Sequence, residues 1–251
     1  MNMSLNRIIK ICTIISFILI IYQPINTKAS INDIPDREVL LSSEQLIYNE
    51  NENSAQISIV NKSPSSFLIQ SWVESYKKSD RQERSTLLPP YTFIVTPPLF
   101  RLDTGESHLD IHYSGENLPK DRESVFCLNV MFIPLVVKPG EKPNNIQFVF
   151  IKSVKLLWRP KGLSGNPVEA YKQLKFKRNN SYFDIINPTP YYVTISSLMI
   201  DGHHVVSTDE IMIPPKSLQH YPLSVVYSGE ISFIAISDSS TLKQPKRAVL
   251  Q

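Results

Sequence analysis

Leu118-Pro-Lys-Asp-Arg-Glu-Ser-Val-Phe-Cys-Leu-Asn-Val-Met-Phe-Ile-Pro134, followed by Ile146-Gln-Phe-Val-Phe150 and Lys155-Leu-Leu-Trp-Arg-Pro160, decides the fold. A charged turn leads into an apolar run closed by proline, then comes a segment apolar on both faces, then a lysine ahead of a Trp-Arg-Pro end. Short runs rich in β-branched and aromatic residues, bounded by turn formers, predict strands rather than helices.

The same short period recurs outward in both directions. Ala55-Gln-Ile-Ser-Ile-Val60, Phe67-Leu-Ile-Gln-Ser-Trp-Val73, Leu109-Asp-Ile-His-Tyr113 and Tyr192-Val-Thr-Ile-Ser-Ser-Leu198 alternate apolar with polar or small residues. Asp201-Gly202 before His203-His204 predicts a hairpin turn. No long helical pattern occurs, and 19 prolines against 7 glycines punctuate the strand candidates. Many short strands with proline-bearing turns predict an all-β sandwich architecture. The polar stretch Lys161-Gly-Leu-Ser-Gly-Asn-Pro167 reads as a linker. It divides the chain into an expected first domain at 33–160 and a second at 164–251.

The N-terminus predicts an export signal over residues 1–29. Arg7 and Lys10 precede an apolar run from Ile11 to Tyr22, and Thr27 and Ala29 are small residues suited to cleavage after Ala29. About a dozen apolar residues fall short of the roughly 20 that a membrane-spanning helix needs. Cleavage would remove Arg7, Lys10 and Lys28, lowering Lys+Arg from 26 to 23, equal to Asp+Glu. A chain without net charge offers no electrostatic case for nucleic acid or an anionic membrane as partner. The remaining cysteine, Cys127, cannot form an internal disulfide and is expected as a buried core thiol.

Catalytic signals are weak. His108, Asp110 and His112 would share one strand face, the basis for a metal-dependent hydrolase reading, but they lack a closing fourth ligand. The chain has no Gly-x-Ser-x-Gly, no phosphate-binding glycine loop and no cysteine pair suited to redox chemistry. A protein that is not an enzyme, with no metal and no cofactor, is expected.

Four segments in order resemble the periplasmic chaperones of the chaperone/usher pathway, the PapD-like family. They are Thr96-Pro-Pro-Leu-Phe-Arg-Leu102, Leu118 to Pro134, Lys155-Leu-Leu-Trp-Arg-Pro160 and Asn187-Pro-Thr-Pro-Tyr-Tyr-Val193. Cys127 stands where that family usually has an aromatic residue, and Leu135 where it has a small residue or proline. The resemblance implies two immunoglobulin-like sandwiches in an L or boomerang arrangement in the periplasm. It also implies pilus subunits and an outer-membrane usher as partners. The loop before the donor strand is of moderate length and lacks a bracketing cysteine pair, which is closer to the short-loop subfamily.

The resemblance also implies site residues. Ile146, Phe148 and Phe150 would form a donor strand that fills a subunit's groove, with Val149 and Ile151 packing on the chaperone's own core. Lys155 would receive the subunit's C-terminal carboxylate. The family's second anchor, an arginine, falls on Gln45, and Arg37 is eight residues away, roughly 26 Å along an extended strand. Glu123, Arg159 and Asp238 would form an interdomain charge cluster.

Physically, a subunit missing its last strand exposes an apolar groove and unpaired edge amides, and a lent strand satisfies both. The same exposed edge invites self-association of the free chaperone. A secreted two-domain adhesion or binding module is the alternative reading.

Overall fold

The computed structural model describes residues 38–76, 92–115, 118–135, 148–178, 182–204, 210–222, 230–236 and 246–248. The expected signal at 1–29, Ile146, Asp238 and the polar loop 137–145 lie outside them. Among the described residues the chain is built almost wholly of strands, with one short 3-10 helix at Pro167–Gln173.

The first sandwich contains β1 (Val39–Leu41), β2 (Gln45–Asn49), β3 (Ala55–Asn61), β4 (Phe67–Ser75), β5 (Phe93–Thr96), β6 (Leu99–Leu102), β7 (Gly105–Tyr113), β8 (Ser124–Pro134) and β9 (Phe150–Arg159). One sheet runs β1-β3-β7-β5 and the other β2-β9-β8-β4-β6. Alternation makes each sheet one-sided. Ala55, Ile57 and Ile59 of β3 and Leu109 and Ile111 of β7 point inward, meeting Phe126, Leu128, Val130 and Phe132 of β8. That interior is an apolar core, with Trp158, Phe67 and Phe132 fully buried. Each such side chain contributes about 1.5–3 kcal/mol by leaving water.

The second sandwich contains β10 (Lys175–Arg178), β11 (Tyr182–Asn187), β12 (Val193–Ile200), β13 (His203–His204), β14 (Ile211–Ile213), β15 (Ser217–Pro222), β16 (Ile231–Ile236) and β17 (Lys246–Ala248). Its sheets are β10-β11-β15 and β13-β12-β16-β17, with β14 also on β12. They enclose a separate core of Phe176, Phe183, Ile185, Ile195, Ile213 and neighbours. The β12–β13 hairpin turns at Asp201 (φ 54°) and Gly202 (φ 77°), with Ile200 opposite His203. Two positive φ values are what a two-residue hairpin turn with right-handed strand twist requires.

Two expectations are corrected. Cys127 is only half-buried and lies on the outer face of β8, opposite the inward row of Phe126, Leu128 and Val130. Its thiol donates to Asn129 Oδ1 at 3.4 Å, and burial pushes its pKa up. Val149 and Ile151 do not pack on the core: they are 52% and 51% exposed, and Phe150 packs on it instead. The cause is strand parity, because β9 buries Val154, Leu156 and Trp158, and even-numbered positions therefore face inward.

Candidate strand-donation edge and interlobe anchor

The site begins with a mismatch in strand length. β2 runs parallel to β9 but covers only its C-terminal half, pairing Gln45 with Lys155 through Asn49 with Arg159. On its other side β9 is paired with β8 along nearly its whole length, from Phe150 opposite Phe132 to Trp158 opposite Ser124. Among the described residues no strand covers the outer side of residues 150–154.

The direction of the free groups follows from the neighbouring bonds. Lys155 N–H donates to Glu44 O at 3.1 Å, and Arg159 O accepts from Glu50 N–H at 2.9 Å, so odd-numbered residues of β9 aim their backbone groups towards β2. Two residues back, the alternation aims those of Ser153 and Ile151 past the start of β2 and into the open edge. Such an edge is a template for one more strand.

The side chains along this edge are apolar. Phe148 is 66% exposed, and Val149 and Ile151 are exposed beside it. Phe150 lies half-buried against the core, stacked on Phe132 with ring centroids 4.9 Å apart and edge-on to Phe67 at 6.0 Å. Each aromatic pair contributes about 0.5–1.5 kcal/mol beyond its buried area, so Phe150 holds the start of β9 on the sheet.

Where the open edge ends, Lys155 stands on the outer face. Its Nζ makes an ion pair with Glu210 of the second sandwich. Gln45, opposite it in register, projects from the same face, since paired residues of adjacent strands share a side. Cys127 and Glu74 continue the row across β8 and β4. One row further along, Asn129 donates to Glu74 Oε1 at 2.8 Å and accepts from Ser153 Oγ at 2.7 Å.

The two sandwiches are joined by a charged clamp. Glu123, only 2% exposed, accepts from Arg159 Nε at 2.5 Å through one carboxylate oxygen and from Tyr192 N–H at 2.8 Å through the other. Its own N–H donates to Pro190 O at 2.9 Å, and the Arg159 guanidinium lies 5.5 Å from the Tyr191 ring centroid. A buried carboxylate is stable only when paired and hydrogen-bonded in this way.

The receiving loop is shaped by Asn187. Its amide donates to Tyr191 O at 2.8 Å and Pro214 O at 3.0 Å, while its oxygen accepts from Thr189 N–H at 3.0 Å and Thr189 Oγ1 at 2.7 Å. That ties the Asn187 to Val193 segment into a fixed turn that presents Pro190 O and Tyr192 N–H to Glu123. A second, exposed pair joins the sandwiches between Lys216 and Asp121 at 2.7 Å. Hydrogen bonds from Arg122 and then Lys216 hold the Asp121 carboxyl well below the usual range.

His108, Asp110 and His112 take other partners. Their neighbours on β3 and nearby are Ser58 Oγ at 2.9 Å, Gln56 Nε2 at 2.9 Å and Asn53 O at 3.4 Å respectively. Among the described residues no group of three or more His, Cys, Asp or Glu side chains is placed to hold a metal. Glu210 carried no signal in the sequence, because its meeting with Lys155 spans the two sandwiches. Tyr192 was visible only as part of a motif whose purpose lies in its backbone.

Two immunoglobulin-like sandwiches in tandem, the first with an apolar strand edge that none of the described strands covers, define a two-domain assembly-chaperone fold. The chain belongs to the PapD-like pilus-assembly chaperones. Residues 38–164 match the pili and flagellar-assembly chaperone PapD N-terminal domain, and residues 169–241 the pili assembly chaperone PapD C-terminal domain. Chaperone protein FocC of Escherichia coli is 32% identical over 218 residues, covering 85% of this chain and 90% of that protein. The solved E. coli chaperone DraB is 30% identical with a TM-score of 0.70, over 85% of this chain and 96% of that one. The SafB chaperone of Salmonella enterica, solved in complex with SafA pilin, has a TM-score of 0.71 at 26% identity, over 84% and 96%.

Proposed function

We propose that this chain is a periplasmic chaperone that holds pilus subunits by lending them the open edge of β9 and passes them to an outer-membrane usher. The observation that carries the reading is the half-covered strand. Among the described residues no strand pairs with Ile151 and Ser153 on the outer side, Phe148, Val149 and Ile151 expose apolar side chains, and Lys155 stands where β2 closes the edge. An added strand would gain ladder hydrogen bonds and bury that apolar surface together. Lys155 would make a charge-assisted bond to the subunit's terminal carboxylate and so set the register. Ile146 extends the apolar alternation of Phe148 and Phe150 in sequence and is assigned with them to the donor strand.

Glu123 and Arg159 are assigned to holding the two domains together, with Asp238 a third member on sequence grounds. Gln45 is assigned as the second, uncharged anchor. Residues 1–29 are assigned as the export signal, and no helix among the described residues is long and apolar enough to cross a membrane. SafB, solved in complex with SafA pilin, supports pilins as the substrate class.

The test is co-expression with a secreted pilus subunit lacking its last strand, followed by affinity capture of the chaperone from the periplasmic fraction. A stable one-to-one complex, with subunit degraded when the chaperone is absent, is expected. Equal subunit recovery with and without the chaperone would overturn the reading.

A further inference from the structure

The lysine assigned to the subunit's terminus already has a partner. Glu210, from the second sandwich, is ion-paired to Lys155 and also lines a cavity of about 230 Å³. Tyr76 and Val125 of the first sandwich and Tyr192 and Met212 of the second form other walls of that cavity. One carboxylate therefore serves both the anchor and the cavity beside it.

Charge counting gives this arrangement a consequence. Gln45 is neutral, and Lys155 and Glu210 cancel, so the anchor has no net charge before a subunit arrives. A terminal carboxylate that binds Lys155 sets two carboxylates against one ammonium, whether it shares Lys155 with Glu210 or displaces it, and so leaves a surplus negative charge at the cavity wall. Of the other charges, Arg159 is held by Glu123, while Arg122 and Lys216 share the one carboxylate of Asp121, and Glu74, in the same row as Lys155, adds a further carboxylate. Burial and the Glu123 carboxylate push the Tyr192 phenol up to about 12, so it stays neutral and adds no charge.

The cavity suits the missing cation. Tyrosine rings attract a positive group over their faces, and Val125 and Met212 offer apolar surface for a methylene stem. We infer that Glu210 is a specificity-determining residue of the anchor, selecting subunits whose C-terminal segment carries a lysine or arginine beside its free carboxylate. On capture the ion pair exchanges partners: Lys155 takes the carboxylate and Glu210 takes the cation. This rests on the strand-donation reading given above.

The probes are two synthetic peptides of alternating valine and threonine with free C-terminal carboxylates, one ending in lysine and the other in norleucine, titrated calorimetrically into the full-length mature protein. The lysine peptide is expected to bind roughly two- to fivefold tighter, the scale of a partly exposed ion pair. Glu210→Gln should abolish the preference by improving the norleucine peptide. Equal affinities in the wild type, or a preference that survives Glu210→Gln, would overturn the inference alone. If neither peptide binds, the strand-donation reading falls and takes this inference with it.

Discussion

Gln45 and Lys155 stand opposite one another at the first rung of the parallel β2–β9 ladder, on one face of the sheet. Lys155 thus stands as a cation beside a neutral neighbour. Gln45→Arg would add a second cation without disturbing the ladder, because the side chain projects off it. A Gln45 amide bond to a carboxylate is charge-assisted from the acceptor side only, whereas an arginine would add a second full charge and a two-pronged donor geometry. A gain of about 1 kcal/mol, or roughly fivefold in affinity, is therefore expected for a subunit with a free C-terminus. The gain should vanish for a C-terminally amidated peptide, which calorimetry would show.

Phe148 separates binding from folding better than Phe150 does. Phe150 stacks on Phe132 and meets Phe67, so removing it damages the chaperone itself. Phe148 is 66% exposed. Phe148→Glu is expected to leave thermal stability within about 0.5 kcal/mol of wild type, as surface substitutions do. Subunit capture should be lost, because a charge would enter an apolar groove. Unchanged capture in a pull-down would remove Phe148 from the donor strand.

How much of this was legible in the sequence depends on the range of the interaction. Alternation over Ala55 to Val60 and Phe67 to Val73 is a local property, and it foretold β3 and β4 with their inward faces. Parity along β9 was not local. Both Phe150 and Ile151 are apolar, and only the register against Phe132 and Met131 decides which one turns inward. Cys127 was misplaced for the same reason, since a run as apolar as Val125 to Ile133 does not reveal its own faces. The Lys155–Glu210 pair was invisible, because nothing in a one-dimensional pattern brings residues of two separate cores together. Glu123 and Arg159 came through the family motif, but the Tyr192 N–H that completes their clamp is a backbone group and leaves no residue-type signature.

The clamp makes a stability prediction. Glu123→Ala would leave the Arg159 guanidinium without its carboxylate and the Tyr192 and Glu123 backbone contacts without support. Breaking a buried pair by removing one partner costs about 3–5 kcal/mol. The two sandwiches have separate cores, so losing the clamp should weaken their coupling rather than melt either core. Differential scanning calorimetry is expected to show a single wild-type transition resolving into two in Glu123→Ala. One transition at unchanged temperature would show that the clamp contributes little to coupling.

Tyr192 gives the molecule a specific alkaline weakness. Burial, reinforced by the Glu123 carboxylate, raises its phenol from 10.0 to about 12. A raised folded-state value means that the unfolded chain loses this proton first. The stabilisation is thus fully present below pH 10 and is lost progressively as pH climbs towards 12. The side chain is partly exposed, so solvent screening limits the effect to about 1–2 kcal/mol. Tyr192→Phe keeps the ring and removes the titrating group. Denaturant unfolding across pH 9 to 12 should therefore show a shallower decline in the variant than in the wild type. Lysine deprotonation occurs in both proteins and cancels in the difference. Parallel curves would mean that the phenol titrates as it does in the unfolded chain, and that the cavity beside Glu210 is open enough to hydrate it.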